Sequence, residues 1–260
     1  MTMRLLTLLF VSLALALGPA QVPTLGQAQA APAVPATAAV ADSDAAADTA
    51  YAKLDPALRA VIQKFDAAQA NVTALSARFV ERKEIGLLKN TVVQEGQFYH
   101  SKPDKFLWEY TAPEPKMLLM NGKLLVAYYP EQKQAEEIQT RLSRRLVKYF
   151  GLGQVFADLQ NYYSLSLAPE ADLPGARAII MTPTKKSLAK RLLEVRLWID
   201  ENLQQVRQLE YREQDGDRTL FTFTDIAVNP VIAADRYEID LPTDVVVSNS
   251  FSGFFAEKAR

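Results

Sequence analysis

The sequence predicts a mainly β protein with some α-helix: a strongly curved, incompletely closed antiparallel β-barrel of about 10–11 strands, with helices plugging its opening. From residue 162 onward, extended segments of roughly six to eleven residues alternate with tight turns, which is typical of a meander of antiparallel strands. Only two amphipathic helices are predicted, too few to cover both faces of a flat sheet. A sheet of this size is therefore expected to curl upon itself.

Composition limits the classes of function that the chain can have. With 260 residues, 49% of them hydrophobic and 23% charged, the chain is expected to form one globular domain with appendages. The net charge of −1 gives no reason to expect nucleic-acid binding. The chain contains no cysteine, which excludes disulfides, thiol catalysis and acylation of a lipobox cysteine. It contains one histidine, His100, so no multi-histidine metal site is expected, and no cofactor is predicted.

The N-terminal segment has the features of an export signal. Arg4 precedes an apolar stretch at 5–17, which is short for a membrane span, and small residues that suit cleavage follow at Ala20 and Ala30. We expect residues 1–30 to be a cleaved signal peptide, although an uncleaved anchor is the alternative. Residues 31–50 are alanine-rich and are expected to form a flexible tether before a single folded domain at 51–260.

The first folded element is predicted to be a helix at residues 56–70. Asp55 can cap its N-terminus, and Pro56 suits the first helical position because the missing N–H group needs no partner there. One apolar stripe is formed by Leu58, Val61, Ile62 and Phe65. The stripe is expected to pack on the sheet.

An aromatic row is the most prominent feature of the predicted sheet. Phe106, Trp108 and Tyr110 alternate with other residues, so they are expected to lie on one face of a strand with Phe98 nearby. This strand is predicted to be interrupted by prolines at 113 and 115 and to resume at 117–120. The row can be an ordinary sheet core or the wall of a ligand site, and the pattern alone leaves both possibilities open.

The remaining strands follow from the same alternation and from turn residues. They are expected at 75–85, 90–100, 123–129, 133–138, 163–167, 176–182, 192–200, 205–213 and 218–228, with a last strand that contains Tyr237, Ile239 and Leu241.

A second helix is predicted at residues 140–150. Leu142, Leu146 and Phe150 recur every four residues and are flanked by arginines and a lysine. This helix is expected to pack on the body of the protein with a solvated basic face, or to contact anionic headgroups or an acidic partner. Three phenylalanines in the tail, at 251, 254 and 255, are expected to pack on the body or on a partner.

Enzyme motifs are missing from the sequence. No phosphate-binding loop, nucleophile elbow, dinucleotide fingerprint or zinc-protease motif is present. His100 is expected to be a partly exposed residue at a strand end. A non-enzymatic function is therefore predicted.

One stretch resembles a known family. The order G-x-F-Y-x-x-K-P-D-K-F-x-W-E-Y-x-x-P from Gly96, followed by N-G-K and then Y-Y-P, is similar to the signature region of the LolA family of periplasmic carriers of outer-membrane lipoproteins. The family usually has Arg-Pro where this chain has Lys102-Pro103, and Asp-Gly where it has Asn121-Gly122.

The resemblance implies roles for three sets of residues. The barrel interior would hold acyl chains, with a wall made of Phe79, Phe98, Phe106, Trp108, Tyr110, Leu118 and Met120. A helical lid would cover it, through Leu58, Ile62, Phe65, Leu142, Leu146 and Phe150. Lys102 takes the place of the family's arginine, which hydrogen-bonds backbone carbonyls of the lid and holds the empty carrier shut.

The resemblance also implies location and partners. The mature protein is expected to be a periplasmic monomer that carries an acylated lipoprotein or other lipid from a releasing transporter in the inner membrane to an acceptor in the outer membrane. A structural or lipid-sensing module of the cell envelope with the same fold is the alternative.

Overall fold

The computed structural model describes residues 51–86, 90–122, 124–139, 156–169 and 172–249. The predicted signal peptide, the tether, the helix at 140–150 and the phenylalanine-containing tail lie outside these residues. The described elements, in chain order, are α1 (Pro56–Ala70), β1 (Ala74–Ile85), β2 (Asn90–Ser101), β3 (Lys105–Ala112), β4 (Lys116–Asn121), β5 (Leu124–Tyr129), β6 (Gln134–Gln139), α2 (Phe156–Leu159), β7 (Tyr163–Leu167), β8 (Ala176–Pro183), α3 (Lys186–Ala189), β9 (Leu192–Asp200), β10 (Val206–Glu213), β11 (Arg218–Val228), the 3-10 helix η1 (Ala234–Tyr237) and β12 (Val246–Ser248).

The strands of the described residues form one twelve-stranded sheet in the order β12-β6-β5-β4-β3-β2-β1-β11-β10-β9-β8-β7. Neighbouring strands are antiparallel, except that β12 runs parallel to β6. The sheet is not closed, because β12 and β7 stand at its two ends. The predicted fold class, a mainly β protein with an incompletely closed sheet, is confirmed. Within the described ranges, no helix combines the length and apolar character that crossing a membrane requires.

Two details of the predicted strands were wrong. The interrupted strand at 106–120 is in fact two antiparallel strands, β3 and β4, because the chain reverses direction at the prolines between them. The predicted last strand at 237–241 does not exist. Tyr237 ends η1, and the final strand of the described residues is β12. The division of 106–120 into two strands gives twelve described strands in place of eleven predicted ones.

Helix α1 begins as its sequence predicts. The Asp55 carboxylate accepts hydrogen bonds from the backbone N–H groups of Ala57, at 2.9 Å, and Leu58, at 3.3 Å, with proline at the first helical position. The buried side of the helix packs in the main hydrophobic cluster through Leu58, Ile62 and Phe65. That cluster includes alternate residues of most strands, so it defines one face of the sheet, which we call the inner face.

Part of the opposite, outer face is covered by the chain that follows β11. Residues 232–239, which we call the strap, pack against Leu107 and Leu119 through Tyr237, Ile232 and Ile239. Polar bonds hold the strap in place. The Tyr237 hydroxyl lies 2.8 Å from Ser101 Oγ, and Asn121 Nδ2 donates to the Tyr237 carbonyl at 3.0 Å. The apolar alternation at 237–241 therefore reflects packing of the strap on the outer face of the sheet and not a strand.

Gly96 marks a point where β2 and β3 approach each other closely. A Cβ atom at this position would lie 2.1 Å from the Glu109 carbonyl oxygen and 2.7 Å from Phe79 Cζ. Since a backbone atom cannot move aside cheaply, we expect Gly96→Ala to lower the free energy of unfolding by about 1–3 kcal/mol. Chemical denaturation measures this, with Thr91→Ala at an exposed position of the same strand as control. Equal decreases in the free energy of unfolding for the two variants would show that β2 and β3 can move apart to accommodate the added Cβ atom.

Candidate functional site

The seven residues predicted to line an acyl site lie together. Each is buried, and all belong to the main cluster on the inner face: Phe79, Phe98, Phe106, Trp108, Tyr110, Leu118 and Met120. Strand register explains the grouping. Phe98 of β2 lies opposite Trp108 of β3, which lies opposite Leu118 of β4. Paired residues of neighbouring strands point to the same face of the sheet. The three neighbouring strands β2, β3 and β4 therefore form one continuous apolar surface.

Trp108 is the centre of the aromatic group. Its ring centroid lies 4.9 Å from that of Phe79, 4.7 Å from that of Phe98 and 5.3 Å from that of Phe221. Phe223 stacks beside Phe221, with centroids 6.3 Å apart. The sequence interpretation missed these two phenylalanines, although their spacing along β11 is the same period of two that identified Trp108.

The residues predicted to form a lid divide into two groups. Leu58, Ile62 and Phe65 of α1 are buried in the main cluster of the inner face, and the Phe65 ring meets that of Phe156 in α2 edge-on at 5.3 Å. The other three predicted lid residues, Leu142, Leu146 and Phe150, lie outside the described residues.

Lys102 lies in the turn between β2 and β3 and points to the end of α1. Its Nζ donates a hydrogen bond to the backbone carbonyl of Gln69 at 2.6 Å. The Gln69 carbonyl also accepts the backbone N–H of Val72 at 3.2 Å. Carbonyl groups in the last turn of a helix carry the negative end of the helix dipole, so a cation there is favourable. Burial lowers the pKa of Lys102 from its ordinary value.

His100 is buried, which contradicts the expectation of a partly exposed residue. Only 4% of its surface is exposed, and its ring is parallel to that of Phe98 with centroids 6.5 Å apart. Residues 98 and 100 of one strand share a face, so the period of two could have predicted this position. Burial, and then the positive charge of Lys102, lower the pKa of His100 to about 4. The imidazole is therefore neutral near pH 7.

The far end of the inner face, away from Lys102, is polar. Lys83 and Gln94 are buried there, and Lys116 Nζ donates to Gln94 Oε1 at 3.0 Å while lying 4.4 Å above the Tyr110 ring. Burial and the charge of Asp215 raise the pKa of Glu213 to about 7. Among the described residues, no group of three or more histidine, aspartate or glutamate side chains could hold a metal ion.

Chemically, this arrangement suits hydrocarbon. A large apolar surface on which an amphipathic helix packs offers the kind of contact that hydrocarbon chains make. The polar contact of Lys102 with the helix end adds a bond that depends on the position of the helix.

Comparison with known proteins identifies the family. The family model described as outer membrane lipoprotein carrier protein LolA matches residues 70–240, about two thirds of the chain. The chain belongs to the LolA family. Members of this family are non-enzymatic carriers of outer-membrane lipoproteins, so membership implies lipoprotein cargo and a periplasmic location.

This LolA-family chain is distantly similar to curated relatives. The outer-membrane lipoprotein carrier protein of Cupriavidus taiwanensis is 27% identical over 200 residues, which cover 74% of this chain and 89% of the relative. That of Chromohalobacter salexigens is 26% identical over 174 residues, covering 66% and 79% of the two chains. A LolA superfamily protein from Nitrosomonas europaea of known structure has 12% identity and a TM-score of 0.36, covering 70% of this chain and 97% of its own.

Proposed function

We propose that this protein is a soluble periplasmic carrier that holds the acyl chains of a lipoprotein, or of another lipid, on its inner face and shuttles them from the inner to the outer membrane. The observation that carries the proposal is that all seven predicted acyl-site residues lie in one buried cluster with the apolar side of α1. An inner-membrane transporter would load this surface, and an outer-membrane acceptor would unload it. Family membership supports this direction of transport.

The inner face would exchange one apolar cover for another. Leu58, Ile62 and Phe65 of α1 are buried in the same cluster as the aromatic residues. When α1 moves aside, acyl chains take its place, so burial of the apolar surface, worth ~25 cal/mol per Å², is largely conserved. The position of the equilibrium then depends on small differences between the closed and open states.

Lys102 supplies such a difference. Its bond to the Gln69 carbonyl exists only while α1 lies on the inner face. Re-formation of this bond would help to expel cargo. Arginine, the family's usual residue here, offers five donors in a rigid fork, whereas lysine offers three on a compact, strongly hydrated ammonium. Lysine should therefore hold the lid less firmly, by ~1 kcal/mol for one charge-assisted bond.

Substitution of Lys102 is expected to change the rates of loading and release. Lys102→Arg should slow uptake of cargo and speed its release, because it strengthens the closed state. Lys102→Leu should keep bound cargo, because closure gains no polar bond. Transfer of a labelled acylated peptide to acceptor vesicles measures both rates, with Lys190→Leu at an exposed position as a control for loss of charge. Identical rates of uptake and release in all variants would show that Lys102 acts only as a residue of the turn.

The carrier function itself can be tested by its cargo. Protein purified without detergent from the periplasm is expected to contain lipid that mass spectrometry identifies, and the empty protein is expected to bind acylated peptide. A protein that contains no lipid and takes up no acylated peptide would contradict the carrier proposal. That outcome would favour a structural or sensing module of the envelope.

A further inference from the structure

Gln69 ties α1 to two separate parts of the sheet. It lies in the last turn of the helix, and only 1% of its surface is exposed. Its backbone carbonyl accepts the bond from Lys102, just after β2, whereas its side-chain Nε2 donates to the backbone carbonyl of Gln204, just before β10, at 2.9 Å. Strands β1 and β11 stand between β2 and β10 in the sheet. One residue therefore anchors the helix on both sides of the centre of the sheet.

The turn that receives the Gln69 side chain is held in a defined shape. Asp200 Oδ1 accepts the backbone N–H groups of Asn202 at 2.9 Å and Leu203 at 2.8 Å. Gln204 has a positive φ of 52° and donates from its side-chain Nε2 to the Glu201 carbonyl at 2.6 Å. These bonds fix the direction of the Gln204 backbone carbonyl, so it forms a preorganised acceptor for the helix.

A second side chain of α1 reaches the same turn. Lys64 Nζ donates to the Glu201 carbonyl at 2.7 Å, at an exposed position. A bond that is accessible to water contributes less than a buried one, because water competes for both partners. The buried contact of Gln69 with Gln204 is therefore the stronger of the two attachments to this turn.

The buried amide of Gln69 is only half satisfied. Its Oε1 has no hydrogen-bond partner among the described residues. A buried acceptor without a partner destabilises the state that contains it, and water would hydrate it when the helix moves away. The closed position thus contains a bond that favours it and an unsatisfied group that opposes it, an arrangement suited to a lid that has to open.

We use the word latch for a hydrogen bond that holds α1 on the inner face, as the bond between Lys102 and the Gln69 carbonyl does. We propose that Gln69 is a positioning residue whose side chain forms a second latch with the Gln204 carbonyl, on the other side of the centre of the sheet. Both bonds break when α1 leaves the inner face, so each contributes to the closed state. The proposal rests on the proposed function in that α1 is taken as the moving lid.

Access to the inner face of the empty protein tests this latch. The chain has no cysteine, so Ala77→Cys, on the inner face, introduces a single thiol whose reaction rate with a thiol reagent reports how often the lid opens. Gln69→Met keeps the length of the side chain and the backbone carbonyl but removes the donor. We expect it to raise the labelling rate about fivefold, the equivalent of one neutral hydrogen bond. Lys102→Met should have an effect of similar size, and the two should multiply.

Controls separate lid opening from unfolding. Asn71→Ala removes only a bond of 3.4 Å to the Ala67 carbonyl within the helix end, so it should leave the labelling rate unchanged. Chemical denaturation should show that Gln69→Met stays folded, with a decrease in the free energy of unfolding no larger than its fivefold change in labelling represents, about 1 kcal/mol. A labelling rate for Gln69→Met equal to that of Asn71→Ala would overturn the second latch. The measurement uses no cargo, so its result does not depend on whether the protein carries lipoprotein.

Discussion

Trp108→Ala is expected to lower the free energy of unfolding by about 3–5 kcal/mol, the largest effect of any single substitution considered for this protein. Trp108 is 3% exposed, and the rings of Phe79, Phe98 and Phe221 surround it at centroid distances of 4.7–5.3 Å. Those neighbours belong to three different strands, so they cannot collapse together into the space that the indole leaves. The loss therefore combines the transfer free energy of the side chain with that of a residual cavity.

Denaturation followed by far-ultraviolet circular dichroism measures this loss without the tryptophan signal, and Trp108→Phe serves as control because it retains a ring. Binding of a fluorescent fatty acid, measured on the same variants, separates the two roles of the residue. If Trp108 also lines the acyl site, Trp108→Ala should weaken binding more than Trp108→Phe does. Full destabilisation with unchanged binding would make the aromatic row a core and nothing more.

Acid is expected to destabilise the protein through His100. The unfolded chain takes up a proton on this residue near pH 6.5, whereas burial and Lys102 hold the pKa in the folded protein at about 4. Stability from this source is therefore complete above pH 6.5 and is lost as the pH falls toward 4. The loss amounts to about 2 kcal/mol at pH 5 and about 3 kcal/mol once the pH is below both values.

The free energy of unfolding at pH 7 and pH 5, for the wild type and for His100→Phe and His100→Gln, isolates this contribution. Other groups titrate in the same range. Glu213, whose pKa is raised to about 7, acts in the opposite direction, because the folded protein binds its proton more tightly than the unfolded chain does. This background is common to all three proteins, so only the difference between them is informative. An acid sensitivity in both variants equal to that of the wild type would exclude His100 as its source.

The sequence predicts those parts of the fold that depend on local periodicity. Asp55 and Pro56 place the start of α1 correctly, and the alternation of Phe106, Trp108 and Tyr110 places three rings on one face. In each case the determining interaction lies within a few residues of the signal, either as a cap or as the period of a strand.

Features that depend on distant contacts were harder to predict. The alternation of Tyr237 and Ile239 resembles that of a strand, but it arises because the strap packs on Leu107 and Leu119, more than a hundred residues earlier. The contact of Gln69 with Gln204 leaves no mark in the sequence, because a glutamine at a helix end is ordinary and its acceptor is a backbone carbonyl. Burial of His100 was predictable from its place beside Phe98, but histidine is intermediate in its tendency to be buried, so the residue type alone does not decide its position.

The order of strands in the sheet affects how the chain folds. β1 and β11 pair at the middle of the sheet although they come from opposite ends of the described chain, and Arg218 forms an ion pair with Glu84, 134 residues earlier. Such pairing closes a very long loop, which slows folding relative to proteins of local topology. The edge of β1 that pairs with β11 has no partner strand until β11 is available, whereas its other edge can pair with β2. Until β11 is in place, Phe221 and Phe223 do not cover Trp108, so we expect the aromatic residues of the N-terminal strands to be more accessible to water than in the folded protein.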